Sequence, residues 1–417
     1  LPQINNSTLL KMKQVIIGLL LLSNCLFSVK ATEKEKSTIN FKFYGYIRYE
    51  GYWDSRQSIA SRIENVYLFP RPEKLDIIGN DINDDSQFTM LSYQTRAGVK
   101  ISGPSILGAK TTAVLEGDFM GTASNMTGHI RLRQAFVKLD WNKTNLILGQ
   151  YWHPIFVPQI FPNVVATGAA VPFYPLNRSP QVRFTYKPFT NLSVSATVLG
   201  HAEYRSVGPT SNPQQNSGVP EFAGQVFYNS KHITLAATIA YRTIQPNKLS
   251  VNAPNNDKKL SSVNYSLAGK FSYNGFVARA GLLYGGNMSS LKMIGGYAVS
   301  SDKNEYTNIN TLSQWFEIEK TFDKITVGIF AGRAKNTGAN DNIKGDIYYF
   351  LSTDGKYIDE TYRISPKVGY SIKNFNIFFE PMYSTASWGD MKKDNKKVTN
   401  SKTVSNTRML FSVMYKF

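Results

Sequence analysis

The chain has 417 residues, of which 42% are hydrophobic and 13% aromatic, and a formal net charge of +18. A mean hydropathy of −0.26 excludes a bundle of apolar spanning helices, but not membrane-crossing strands, whose alternate residues face water. A single cysteine excludes a disulfide framework, and basic residues placed singly rather than in clusters speak against a nucleic-acid surface.

The first element in the chain is a leader. Met12-Lys13 precedes the apolar run Val15 to Leu22, and Val29-Lys30-Ala31 leads into the charged stretch Thr32 to Lys36. A basic start, a short apolar centre and a small residue before a polar stretch make residues 12–31 a secretory signal peptide. Residues 1–11 read as an over-extended gene model ahead of the initiator. Lipidation at Cys25 is the rival reading, but Asn24 fits that signal poorly. Cleavage after Ala31 removes Cys25, three lysines and no acid, leaving +15. Beyond Leu22 no apolar run approaches the roughly 18 residues that a spanning helix needs. An exported chain of this kind enters a membrane only as strands.

From residue 32 to 417 the pattern has a period of two. Ile39, Phe41, Phe43, Ile47 and Tyr49 oppose Lys42, Tyr44, Tyr46, Arg48 and Glu50; Leu91, Tyr93, Ala97, Val99 and Ile101 oppose Gln94, Arg96 and Lys100. The alternation returns at Ile233 to Arg242, Val263 to Phe271 and Tyr362 to Lys373. It ends on Met409, Phe411, Val413, Tyr415 and Phe417, backed by Ser412, Met414 and Lys416. Each segment is about ten residues long, enough for a tilted strand to cross hydrocarbon.

The connections alternate as well. Short links fall at Ser102 to Gly108, Asn142 to Asn145, Pro188 to Asn191, Asn229 to Lys231, Asn274-Gly275, Phe322-Asp323 and Lys373-Asn374. Long polar links run Gly51 to Phe88, Met120 to Gly128, His153 to Ser179, His201 to Pro220, Gln245 to Leu260, Asn287 to Asn308, Lys335 to Lys356 and Gly389 to Val404. Seven short and eight long links join about sixteen strands that begin and end on the same side. The prediction is an all-β protein: a 16-stranded antiparallel transmembrane β-barrel with short periplasmic turns and long external loops, its last strand pairing with its first. A soluble sandwich or solenoid has no reason for such alternation. Two places fit badly. The parity that sends Arg131 and Arg133 inward also sends Ala135, Val137 and Leu139 inward, so either a bulge shifts the register or these strands face a neighbouring subunit. Asn65 to Pro70 reads as an extra strand, which makes 18 possible.

The stretches FKFYGYIRYEGYWDSRQ (Phe41 to Gln57), LSYQTRAGVKISGP (Leu91 to Pro104), AVLEGDFMG (Ala113 to Gly121), IRLRQAFVKLDW (Ile130 to Trp141) and ILGQYWHPIF (Ile147 to Phe156), with the terminal Phe417, resemble bacterial outer-membrane diffusion porins of the DcaP-like group. The likeness lies mainly in the first half. It implies a homotrimer of 16-stranded barrels in outer-membrane lipid and lipopolysaccharide. It further implies a third loop folded into the pore and assembly machinery that reads the terminal aromatic, with Phe411, Val413, Tyr415 and Phe417 as closing strand and signal. The second loop, Met120 to Gly128, is short for a latch onto a neighbouring subunit.

The third long loop, 153–179, contains five prolines and many Phe, Val and Ala, and its only ionisable residues are His153 and Arg178. A loop that apolar packs against something, and the barrel waist is the expected place, with His153, Pro154, Phe156, Phe161, Phe173, Tyr174 and Arg178 as constriction residues. On the wall, inward parity offers Arg48, Arg96, Lys100, Arg131, Arg133 and Arg183 for anion selectivity. Cross-strand pairing sets Asp118 beside Arg131 and Glu116 beside Arg133 as orienting acids, while Arg96 and Arg183 lack an obvious partner. A positive waist concentrates anions, and planar guanidinium forks suit carboxylates and phosphates. The expected function is passive diffusion of small hydrophilic solutes with preference for anions. The alternative is an adhesin or surface-binding barrel with a closed lumen. None of the four histidines sits in a nucleophile arrangement, the nearest acid–base set being His201, Glu203 and Asp118, so an enzyme is not expected. No metal-ligand spacing or phosphate cradle predicts a cofactor.

Overall fold

A computed structural model describes residues 39–247, 257–300 and 305–417. The expected signal peptide, 12–31, and residues 1–11 lie outside the described residues. The alternating segments form strands because each can turn one apolar and one polar face to different surroundings. In chain order they are β1 (Asn40–Asp54), β2 (Ser58–Ser61), β3 (Val66–Pro70), β4 (Gln87–Leu91), β5 (Arg96–Ser102), β6 (Lys110–Asp118) and β7 (Arg131–Asp140). There follow β8 (Thr144–Trp152), β9 (Arg178–Phe189), β10 (Leu192–Leu199), β11 (Glu221–Asn229), β12 (Ile233–Ile244), β13 (Leu260–Tyr273) and β14 (Phe276–Gly286). The last are β15 (Gly296–Val299), β16 (Tyr306–Phe322), β17 (Ile325–Ala339), β18 (Ile347–Tyr349), β19 (Tyr357–Ile372), β20 (Phe375–Asp390) and β21 (Thr399–Lys416).

Sixteen of these close an antiparallel ring, in the order β1, β5 to β14, β16, β17 and β19 to β21. The seam is fully paired. β1 and β21 run in register from Tyr46↔Lys416 to Asp54↔Arg408, and Gly45 and Phe417 exchange both backbone hydrogen bonds at 3.1 Å. A Cβ on Gly45 would come within 2.3 Å of the Arg96 carbonyl oxygen and 2.7 Å of the Phe417 ring, so the seam needs glycine there. All seven short links join ring neighbours at one end, and all eight long links gather at the other. Asn274 and Gly275 turn at φ 46° and 77°, the left-handed pair that a two-residue hairpin requires.

The ring is not 18-stranded. Val66–Pro70 is a strand, but it pairs only with Ser58–Ser61 as a separate hairpin. That hairpin folds inward: Trp388 Nε1 donates to Pro70 O at 3.0 Å, and Arg408 donates to Glu64 O at 3.2 Å. β4 lengthens the sheet beside β1, and β15 and β18 extend it beside β16.

The misfit at Arg131 and Arg133 is a bulge. Glu116 pairs with Gln134 and Gly117 with Leu132, so Arg133 is the extra residue. Beyond it the parity reverses: Val137 is exposed on the outer face, and Leu148 opposite it is exposed too. Gln150 Nε2 donates to both Leu132 O (3.2 Å) and Arg133 O (3.1 Å), satisfying the carbonyls that the bulge frees. Elsewhere the outer face carries exposed apolar residues on every wall strand, among them Phe184, Val226, Leu267, Ile329 and Ile364. The buried apolar core lies on the inside instead, where the long loops pack against the wall.

Candidate functional site

The third loop leaves β8 at Trp152 and crosses the lumen to the opposite wall. Its prolines and small residues deny it helix or strand, so its backbone groups take partners from the wall, as buried amides must. Asn163 N donates to Glu317 (2.9 Å) and Asn163 Nδ2 to Glu319 (2.9 Å). Val165 N and Ala166 N donate to Glu380, Thr167 Oγ1 donates to Glu50 at 3.2 Å, and Arg48 donates to Val165 O. Phe173 lies on Gly332, where a Cβ would come within 2.6 Å of its ring. Tyr174 meets Trp315 edge-on at 5.4 Å. The wall acids opposite the loop are therefore consumed: Lys367 bridges Glu317 and Glu319 at 2.9 Å each, and Arg363 holds Glu380 at 2.8 Å.

What remains open is a cavity of about 520 Å³ on the other side of the loop. It runs from Tyr46 and Arg96 on the wall up to Phe350 and Leu351 in the long loops. Its cations are Arg48, Arg62, Arg96, Arg131, Arg133, Arg178 and Lys292, and the one carboxylate in its lining belongs to Glu203. The facing side is apolar: Trp152, Phe156 and Phe161 stack in series, with centroids 3.8 Å and then 5.6 Å apart.

The arginines are held by acids behind them. Arg131 grips Asp118 as a fork, Nε–Oδ1 2.7 Å and Nη2–Oδ2 3.1 Å. Arg133 reaches Glu116 at 2.7 Å and Asp118 at 2.9 Å. Two carboxylates thus orient two guanidinium groups, and both arginines line the cavity. Arg96, which looked unpartnered from parity, has its Nε 3.8 Å from Glu116 and its guanidinium 5.0 Å over Tyr46. Arg48 pairs with Glu50 at 2.7 Å. Arg178 has no carboxylate within 4 Å among the described residues; it stacks on Trp152 and Tyr204, and its Nη2 donates to Tyr204 Oη at 2.6 Å.

The expected residues do not all meet. Arg183 has no carboxylate partner among the described residues, yet it lies outside the cavity lining, buried against Tyr151 with Nη2 on Trp152 O at 2.6 Å. Lys100 is exposed near the short-turn end, paired in register with Lys42. Phe173 and Tyr174 belong to the packed side of the loop, whereas Phe156 and Phe161 face the cavity. His153 and Pro154 anchor the loop's first turn: His153 Nε2 bonds Glu221 at 2.8 Å, and Pro154 O accepts from Gln225 at 2.7 Å. His201 bonds that same Glu221 at 2.6 Å, not Glu203 or Asp118. Phe411, Tyr415 and Phe417 are exposed on the outer face of β21, with Val413 between them.

Arg62, Tyr204 and Lys292 line the cavity without having been singled out in the sequence, and Glu203 figures there only in the acid–base set with His201 and Asp118. They come from the first, fourth and sixth long links, which no local pattern connects. Those links carry charges of both signs, so nothing in the sequence singles these positions out.

No protein-family model matches the sequence, and no curated protein matches it. Among solved structures, the DcaP outer membrane channel of Acinetobacter baumannii aligns at a TM-score of 0.69 and 13% identity, covering 93% of this chain and all (100%) of that one. The anion-selective porin from Comamonas acidovorans aligns at 0.55 and 11% identity, covering 91% and 100% of the two chains. OmpF of Salmonella typhi, in complex with daunomycin, aligns at 0.52 and 13% identity, covering 90% and 97%. The fold is that of outer-membrane porins, as the resemblance to the DcaP-like group implies.

Proposed function

We propose that the protein is an outer-membrane porin, exported by its signal peptide, through which small hydrophilic solutes diffuse with a preference for anions bearing carboxylate or phosphate groups. The observation that carries this reading is the charge of the cavity: seven cations and one carboxylate in its lining. The acids of the waist are spent on the third loop and on orienting Arg131 and Arg133. Low-dielectric walls then focus the surplus positive potential on the aqueous path, raising local anion concentration and entry rate. Planar forks fixed from behind recognise an oxyanion without first having to be ordered. The porin fold and the apolar outer face support placement in the outer membrane. A homotrimer, contact with lipopolysaccharide and handling by barrel-assembly machinery through Phe417 complete the reading.

The test is the reversal potential of single channels in a planar bilayer under a potassium chloride gradient. An anion-selective value is expected, and a cation-selective one overturns the proposal. Replacing Arg96, Arg131 and Arg133 together by Gln should reduce the anion preference. A barrel that conducts nothing at all would favour the closed-lumen adhesin.

A further inference from the structure

Glu203 stands out because its contacts are long where those of Asp118 and Glu116, the acids behind the cavity arginines, are short. A single oxygen, Oε1, lies 3.4 Å from Arg62 Nη2 and 3.4 Å from Arg131 Nη1. Charge-assisted bonds of this type usually close to about 2.7–2.9 Å. Arg131 does not need it, since Asp118 already fills its fork at 2.7 and 3.1 Å. Arg62 is under-satisfied even with it: its Nε is buried without a partner. Lys292 stands on the same side, its Nζ over the Tyr204 and Phe350 rings at 5.4 and 5.7 Å. No carboxylate lies within 4 Å of Lys292 among the described residues. The backbone that carries Glu203 is neither strand nor helix, and its side chain keeps 19% of its surface open to water.

We infer that Glu203 is a tethered stand-in for the solute: it occupies an oxyanion site made by Arg62 and Arg131 and flanked by Lys292, and an entering carboxylate displaces it. The inference rests on the anion-channel reading and adds a site and a competitor to it. Exchange of one carboxylate for another costs little, because the guanidinium groups are never left bare and the released Glu203 turns to solvent. Such a resident competitor keeps a strongly positive site from trapping its cargo, which a channel requires. Arg62 comes from the first long link, Glu203 from the fourth and Lys292 from the sixth, so the site exists only when those links are folded together.

The experiment compares wild type with Glu203→Gln in planar bilayers, using potassium acetate as probe and reading both the reversal potential and the concentration at which conductance half-saturates. Removing the competitor should lower the half-saturating acetate concentration about tenfold, the factor that about 1.4 kcal/mol of relieved competition gives, and should raise anion preference. Adding Arg62→Gln to Glu203→Gln should abolish the gain. If Glu203→Gln fails to assemble, Glu203→Asp, one methylene too short to reach both arginines, replaces it with the same expected direction. An anion-selective wild type whose half-saturation and selectivity are unchanged in the variant overturns this inference alone. A wild type without anion preference overturns the anion reading instead.

Discussion

At the residue scale, the buried carboxylates described on the lumen wall are paired and hydrogen-bonded, as the cost of burying a bare charge requires. Asp118 shows it most clearly, accepting from Arg131, Arg133 and the Met120 amide with no exposed side-chain surface. Asp118→Asn leaves two guanidinium groups facing each other with one acid between them. It should destabilise the barrel by about 3 kcal/mol, measured as a lower urea midpoint of intrinsic fluorescence. Arg408 offers a second case. Its fork grips Asp54 at 2.8 and 2.7 Å while its guanidinium lies between the rings of Tyr52 and Tyr67, at 4.2 and 4.6 Å. It therefore ties β21 to β1 and to the inward hairpin. Arg408→Lys keeps the charge but loses the fork and the stack, so the exposed tip at Ile63 should become more sensitive to protease, read as faster cleavage of the first long link.

At the element scale, the first and third links are held by carboxylates, and this makes their integrity dependent on charge. In the first link, burial pushes the Asp81 carboxyl up, but the Lys74 and Asn83 amides and the Arg56 guanidinium, 2.6 Å away, outweigh it and hold it below its ordinary value. A depressed folded value means that its contribution is full above the ordinary carboxylate range and is lost as pH falls through the folded value. Exchange of the Lys74 and Asn83 amides, corrected for the intrinsic rate, should therefore stay slow at neutral pH and rise only in stronger acid than an isolated Asp would require. In the third link, Glu380 receives Val165 N, Ala166 N and Arg363 together. Glu380→Ala should loosen the loop from the far wall, seen as larger and noisier single-channel conductance; unchanged traces would mean that the contacts of Asn163, Thr167, Phe173 and Tyr174 suffice to hold it. The strands, the alternation of links and the inward Arg131–Asp118 and Arg133–Glu116 pairs were all legible in the sequence. Each depends on neighbours in a hairpin, where spacing along the chain fixes distance in space.

At the scale of the whole molecule, closure depends on the end of the chain. Phe417 contributes two backbone bonds to Gly45, where a Cβ would meet both the Arg96 carbonyl and the Phe417 ring. Gly45→Val should lower the yield of barrel that migrates as a compact, heat-modifiable band on SDS gels, and deletion of Phe417 should do the same. The outer face carries the complementary demand. Leu267→Arg places a charge on an exposed apolar wall position and should cost about 2–4 kcal/mol in a bilayer, measured by reversible unfolding in lipid vesicles, while leaving selectivity unchanged because the side chain points away from the lumen.

The sequence by itself determined the ring: its strand number, its short and long ends, its seam at Phe417 and the basic face of its wall. Period-two alternation and hairpin spacing are local, and a sheet with one face in oil and one in water has no other way to satisfy them. Only the tertiary structure decided which cations remain free. Arg183 proved to be packed away from the cavity, Glu317, Glu319 and Glu380 went to the third loop, and Arg62, Glu203 and Lys292 arrived from three separate links. The reason is physical: side-chain pairing across a lumen depends on how loops of no fixed period fold over one another, and nothing in their order along the chain encodes those distances.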